Sequence, residues 1–423
     1  MEMRRTVFLS LLVMGMVLAC QTASGAAAAP AGKEPVTLVL ANYFDGTRIP
    51  LMEAQLKLFQ EQYPWITVVN KAVGATATTV ERDLVSILAG SPPDVWMVDR
   101  IRIPEFVDQG VLQPLDEFMK QDNFDMSIFY PSEQRLFQYK GKYYSLPMMA
   151  ASMSLLYYNR ELLAQGGFNK DAAPKTWQEF LQMAVRLQRV DADGRVQING
   201  GDISYFPRHR LAQLAYTNGA QIYNDPFNIN YLTDSVREAA DWAMEFVKMV
   251  PNGGSLAAGT KVFQLHGEWT YFTAKAASPE LDLGIALMPH GPRGETVNLI
   301  AAAWSYAIPV GVKHPYESWL LIKFLTTSEE GAKVFAFEQG RPSPVIRFNL
   351  DRRYFDVNPY WHIIAETMNK SVVATPSPLA EQFYRTDVKY YSQLLSLSQG
   401  REAILTNLQE EINAIVADYQ SRR

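Results

Sequence analysis

Cysteine is nearly absent from this 423-residue chain, which contains one, Cys20. An intrachain disulfide framework and a multi-cysteine metal site are therefore excluded. Histidine is scarce too: His209, His266, His290, His314 and His362 stand at no ligand spacing. There is no basic excess, since 39 Lys+Arg against 44 Asp+Glu leave a net charge of −5. That balance argues against a nucleic-acid partner, which would want a basic stripe. Neither GxSxG nor HExxH occurs. Gly254–Lys261 (GSLAAGTK) nearly spells a phosphate loop, but its Thr and Lys stand in the wrong order. Val190–Arg195 opens like a calcium loop yet lacks the later ligands and the terminal Glu, so an Asp-Gly turn is expected there. Beyond the N-terminus, no run reaches the roughly 18 uninterrupted apolar residues that a membrane span needs.

The composition is that of a globular protein: 48% hydrophobic and 20% charged residues exclude a mostly disordered or fibrous chain. The length provides core for two or three domains. At the N-terminus, Arg4 and Arg5 precede an apolar run, Val7–Val17, too short to cross a bilayer. Leu18-Ala19-Cys20 closes it with small residues before the cysteine. Residues 1–19 read as a secretory signal, and the tripeptide resembles a bacterial lipobox, which makes Cys20 the lipid-modified first residue of the mature chain. Residues 20–35, rich in Ala, Gly and Pro, read as a tether.

Past the tether, strands alternate with helices. Val36–Ala41 (VTLVLA), Ile66–Val69 and Val95–Val98 read as strands. Between them, Leu51, Ala54, Leu58 and Phe59, then Val80, Leu84, Ile87 and Leu88, fall at helical spacing. Thr176 is a good N-cap for a helix carrying Trp177, Phe180, Leu181 and Ala184, with Glu179 placed for a capping box. Val236, Ala239, Ala240, Ala243 and Val247 mark another helix, and Leu405, Leu408, Ile412, Ile415 and Val416 a last one. Leu281–Leu287 and Ala302–Val310 read as strands. The alternation predicts parallel pairing and an α/β fold.

Several segments in order resemble one family. They are PDVWMVD (Pro93–Asp99), GVLQPLDEF (Gly110–Phe118), GKYYSLPMMAASMSLLYYNRELL (Gly141–Leu163) and PKTWQEFLQMAVRL (Pro174–Leu187). They continue with TNGAQIY (Thr217–Tyr223), HGEW (His266–Trp269), LGIALMPHGPRG (Leu283–Gly294) and WLLIKFLTTSEEGAKVFAFEQGRPSP (Trp319–Pro344). Together they resemble the extracellular solute-binding proteins of ABC importers, of the maltose-binding (family 1) type. The resemblance implies a two-lobed α/β periplasmic-binding-protein fold (type II), hinge-joined, with a cleft between lobes. It places crossings near Pro147–Met153, Met288–Pro289 and Gly340–Pro342. The implied lobes are 36–150 plus 288–340 and 151–287 plus 341–423.

A neutral sugar offers hydroxyls and apolar C–H faces, so its site needs aromatic platforms with carboxylates or amides. The resemblance puts Asn42, Tyr43 and Asp45 in a ligand-contacting loop, and Asp99 and Arg100 at the end of the third strand. It aligns Tyr205, Asn218 and Trp269 with contact regions of the second lobe, Trp304 with a cleft strand, and Arg341 with the third crossing. The expectation is a lipid-anchored receptor that captures a mono- or oligosaccharide by lobe closure. It delivers the solute to permease subunits served by a separate ATPase. A monomer without cofactor or metal is expected, at the outer face of the cell membrane or in the periplasm. The alternatives are a receptor for glycerol phosphate or a polyamine, and a secreted carbohydrate-active enzyme with Asp45 facing Asp99.

Overall fold

The computed structural model of the protein describes residues 33–46, 48–74, 77–150, 153–206, 209–300, 303–329 and 341–423. Cys20, the signal segment and most of the tether lie outside the described residues, as do Ala151, Ser152 and Gly340 at the expected crossings.

The strands that form the two large sheets are β1 (Val36–Asn42), β2 (Ile66–Ala72), β3 (Val95–Asp99), β4 (Ser145–Pro147), β5 (Ser154–Asn159), β6 (Arg189–Val190), β7 (Val196–Asp202), β8 (Lys261–Gly267), β9 (Leu283–Ala286) and β10 (Trp304–Ala307). The principal helices are α1 (Arg48–Gln62), α2 (Ala77–Leu88), α3 (Trp177–Leu187), α4 (Arg210–Tyr216), α5 (Asp234–Met249), α6 (Pro315–Thr327), α7 (Ala380–Leu395) and α8 (Arg401–Ser421).

One five-stranded sheet runs β2-β1-β3-β10-β4 and the other β9-β5-β8-β7-β6. β1 pairs parallel with β2 and β3, and β10 antiparallel with β3 and β4. In the second sheet β8 is parallel to β7, while β5 is antiparallel to β8 and β9. The chain passes from the first sheet to the second between β4 and β5 and returns between β9 and β10. Each sheet is the centre of its own lobe, giving the two-lobed type II arrangement.

Each lobe has its own core. In the first, Leu38, Leu40, Trp96 and Tyr306 pack with Leu56, Phe59, Trp319 and Phe324. In the second, Leu156, Phe263 and Leu265 pack with Phe180, Phe246, Tyr391 and Leu405. β5 is buried along its whole length because a third cluster, including Tyr157, Ile285, Tyr354 and Trp361, covers its other face. A strand covered on both faces must be apolar throughout, as SLLYYN largely is.

Local chemistry fixes the element ends. The capping box at α3 forms: Glu179 N–H donates to Thr176 Oγ at 3.2 Å, and Thr176 N–H to Glu179 Oε2 at 3.2 Å. In α1 the buried stripe is Met52, Gln55, Leu56 and Phe59 rather than Leu51, Ala54, Leu58 and Phe59. The sequence carries two overlapping stripes about 100° apart on the helical wheel. The two stripes share Phe59, which packs on Phe324 of α6 at 5.4 Å between ring centres, and it is Met52 and Leu56 that enter the first core with it.

Candidate functional site

Strand polarity brings the loops of both lobes to the passage between them. In the first sheet β1 and β3 end, and β10 begins, at one edge, because Trp304 is the register partner of Asp99. In the second, β7 and β8 end beside the start of β5, with Gly267 opposite Ser154. Ligands of open α/β sheets bind outside such carboxyl ends.

The second lobe supplies an aromatic array. Tyr205, three residues beyond β7, stacks on His266 at 4.3 Å and 21°. Trp269, two residues beyond β8, meets His266 edge-on at 5.6 Å and Tyr205 at 6.4 Å. Arg341 lies over the Trp269 ring at 4.8 Å, and Arg210 over Tyr205 at 4.3 Å. Tyr205, His266 and Trp269 are each half-buried. Burial lowers the His266 pKa to about 4, with Arg210 and Lys261 adding to the effect and Asp202 opposing it. The ring is therefore neutral at pH 7, with Nδ1 in a 2.7 Å hydrogen bond to Thr270 Oγ.

Beneath the array sits an ion pair, Arg341 Nη1 to Glu268 Oε1 at 2.9 Å. Glu268 is 1% exposed and its second oxygen accepts the Met153 amide at 3.2 Å. Burial pushes the Glu268 carboxyl pKa up, against the pull of Arg341. Burial likewise pushes Arg341 down, against the pull of Glu268 and helped by the Arg48 charge. Arg48 belongs to the first lobe, so the two sides come within electrostatic reach here.

The first lobe contributes Trp304, Asp99 and Asp45. Trp304 is half-buried against Tyr43, with ring centres 5.8 Å apart. Asp99 is half-buried and caps the turn after β3 by accepting the Ile101 amide at 3.3 Å. Asp45 is exposed and pairs with Arg48, whose hydrogen bond and charge hold its carboxyl below the usual range. Neither Trp269 nor Trp304 has an indole N–H bonded within the described residues.

Four expected contacts are corrected. Arg100 is 2% exposed and fully used inside the protein: it pairs with Glu133 and donates to the carbonyls of Ala303 (3.2 Å) and Met149 (2.8 Å). No N–H of its fork points to the cleft, and its role is to pin two passages between lobes. Asn42 is 0% exposed and ties the loop to β2 by donating to Asn70 and accepting the Phe44 amide. Tyr43 is 1% exposed, its hydroxyl donating to Asp83 at 2.7 Å and accepting from Trp96 Nε1 at 2.5 Å. It supports Trp304 from below rather than facing a solute. Asn218 lies at the far end of α4 from Tyr205, bonded to Glu238, the Ser235 carbonyl and the Arg293 amide. A polar side chain whose donors and acceptors are already matched has nothing to offer a ligand.

Tyr205, Trp269 and Arg341 thus cluster at the end of the second sheet, while Trp304 and Asp99 pair at the edge of the first and Asp45 stands in the loop after β1. Of the further residues here, His266 and Glu268 suggest an acid/base pair that nothing in the sequence orients, and Arg210 is not singled out by it. HGEW contains the first two, and their alternation at the end of a strand was a usable signal. Arg210 carried none, since only the docking of α4 places its guanidinium on Tyr205.

The model of the bacterial extracellular solute-binding protein family matches residues 45–332. A binding protein of Brucella abortus (strain 2308) is 25% identical over 334 residues, covering 73% of this chain and 75% of its own. The maltotriose-binding protein of Pyrococcus abyssi is 23% identical over 349 residues, covering 78% and 72%. Among solved structures, CpMnBP1 with mannotriose bound superposes with a TM-score of 0.77 at 21% identity, covering 89% of this chain and all of that one.

Proposed function

The chain belongs to the bacterial extracellular solute-binding protein family, and on that premise we propose that it is the sugar receptor of an ABC importer. The observation that carries this reading is the array of Tyr205, His266 and Trp269 at the carboxyl ends of the second sheet's strands. Indole and phenol rings pack on the C–H face of a pyranose, and the unbonded indole N–H groups of Trp269 and Trp304 can donate to its hydroxyls. Asp99 and Asp45 supply acceptors on the facing lobe. The maltotriose and mannotriose ligands of the relatives support an oligosaccharide.

The working cycle we propose is capture and release without bond-making. Solute binds between the lobes, the segments near 147–153, 288–289 and 340–342 act as hinges, and contacts from both sides hold the solute. The closed form docks on permease subunits whose ATPase is a separate chain. Cys20 carries the lipid that keeps the monomeric receptor at the membrane.

A thermal-shift screen of the full mature chain against mono- and oligosaccharides, polyols and polyamines tests this. A solute at a hundred times its Kd adds about 2.7 kcal/mol. The expected result is a shift with one saccharide group that Trp269→Ala or Trp304→Ala weakens by about tenfold in Kd, or about 1.4 kcal/mol. Shifts with polyamines alone would overturn the sugar assignment.

A further inference from the structure

The aromatic array is surrounded by charged side chains, and nearly all of them are already matched. Arg341 is paired with Glu268 at 2.9 Å, Lys261 with Asp202, and Arg48 with Asp45. Arg210 is the exception. Its guanidinium lies 4.3 Å from the centre of the Tyr205 ring, and Nη1 donates to the Ser204 carbonyl at 3.1 Å. Its Nε is shut off from solvent with no acceptor. Among the described residues it has no carboxylate within ion-pair distance; Asp387 accepts its backbone amide, not its side chain. That backbone anchor, with the Ala212 amide donating to the same carboxylate at 3.0 Å, holds the first turn of α4 in place. The cation is thus fixed beside the rings.

We infer that the solute is an acidic saccharide, a uronic acid or an oligosaccharide containing one, and that Arg210 takes its carboxylate. This deepens the sugar-receptor reading and rests on it. Three features carry the inference. First, the guanidinium is held against the array, 4.3 Å from the Tyr205 ring centre, with Nη1 tied to the Ser204 carbonyl and Nη2 bonded to nothing among the described residues. Second, among the described residues Arg210 is the cation beside the rings with no carboxylate within ion-pair distance, which suits a single carboxylate; a phosphate monoester, with nearly two charges, would want a second such cation. Third, charge-assisted pairs to a planar carboxylate are the strong ones, and Arg supplies the matching fork. His266 adds no charge, because its ring stays neutral down to about pH 4. Arg100, expected from the sequence to face the solute, is spent on Glu133.

The experiment is calorimetry on the full mature chain with three probes: a neutral disaccharide, the same disaccharide with one ring oxidised to a uronate, and the corresponding sugar phosphate. The uronate should bind about tenfold tighter or more than the neutral sugar at low salt, and lose that advantage as KCl is raised. Arg210→Gln should erase the preference, and Arg210→Lys should retain part of it, since the charge remains and the fork does not. Melting curves of both variants confirm that they fold. Equal or tighter binding of the neutral probe, or an equal loss for both probes in Arg210→Gln, overturns the inference and leaves the sugar-receptor reading intact. Tightest binding of the phosphate overturns the charge-matching argument. Failure of all three probes, with a polyamine binding instead, overturns the underlying reading as well.

Discussion

Glu268, just past the end of β8, and Arg341 form a 2.9 Å ion pair under the Trp269 ring. Because Glu268 also accepts the Met153 amide, one buried carboxylate ties Arg341 to the stretch that leads from β4 into β5. Trp269 and the connection are therefore held by the same group.

Glu268→Gln leaves an acceptor for Met153 but strands the Arg341 charge in a site it shares with Arg48. Removing one partner of a buried pair costs about 3–5 kcal/mol. We expect a loss of that order in urea denaturation. Glu268→Gln combined with Arg341→Met should recover most of it, because no charge is then left unpaired. Additivity of the two single losses would show that the pair is not coupled.

Arg100 distinguishes a structural arginine from a ligand contact. With its side chain 0% exposed and paired to Glu133, Arg100→Met should cost about 3–5 kcal/mol of stability. Solute affinity of the folded fraction should fall by less than about threefold, roughly 0.7 kcal/mol. A variant of unchanged melting temperature with affinity lost would return Arg100 to the binding site.

Two buried groups give opposite pH dependences. The His266 pKa is depressed to about 4, so between pH 4 and its unfolded value near 6.5 the unfolded chain binds more protons. Stability from this group is present above pH 6.5 and is lost as pH falls through that window, by about 3 kcal/mol in all. Asp387 is raised to about 6 by burial, so between the ordinary carboxyl value of 3.8 and pH 6 the folded chain binds more protons. Stability from Asp387 is fully present below 3.8 and falls as pH rises through 6. Melting curves from pH 4 to 8 should show His266→Gln losing less stability in acid than the parent. Asp387→Asn should lose the gain that acid gives. Parallel curves for His266→Gln and the parent would show that the ring is not held neutral.

The first sheet was largely legible in the sequence and the second was not, since of its five strands only Leu283–Ala286 stood out. The VTLVLA and VWMV runs, the Thr176–Glu179 box and the Val236–Ala243 stripe all sit where their period and caps put them. The face of α1 was not legible, since two stripes sharing Phe59 competed and only the packed lobe put Met52 and Leu56 inside.

The candidate site divides in the same way. Sequence order alone identified the family pattern, and with it Trp269, Trp304, Tyr205 and Asp99 at strand ends, because chain direction in an α/β sheet fixes which loops share an edge. What each polar residue does there was decided by tertiary structure. Arg100 and Arg210 are alike in sequence, an arginine at the start of a helical turn. Packing gives one a buried Glu133 and leaves the other over Tyr205 with no carboxylate within ion-pair distance among the described residues. A side chain's type states which bonds it can make; only the folded neighbours determine which of those bonds remain open to a ligand.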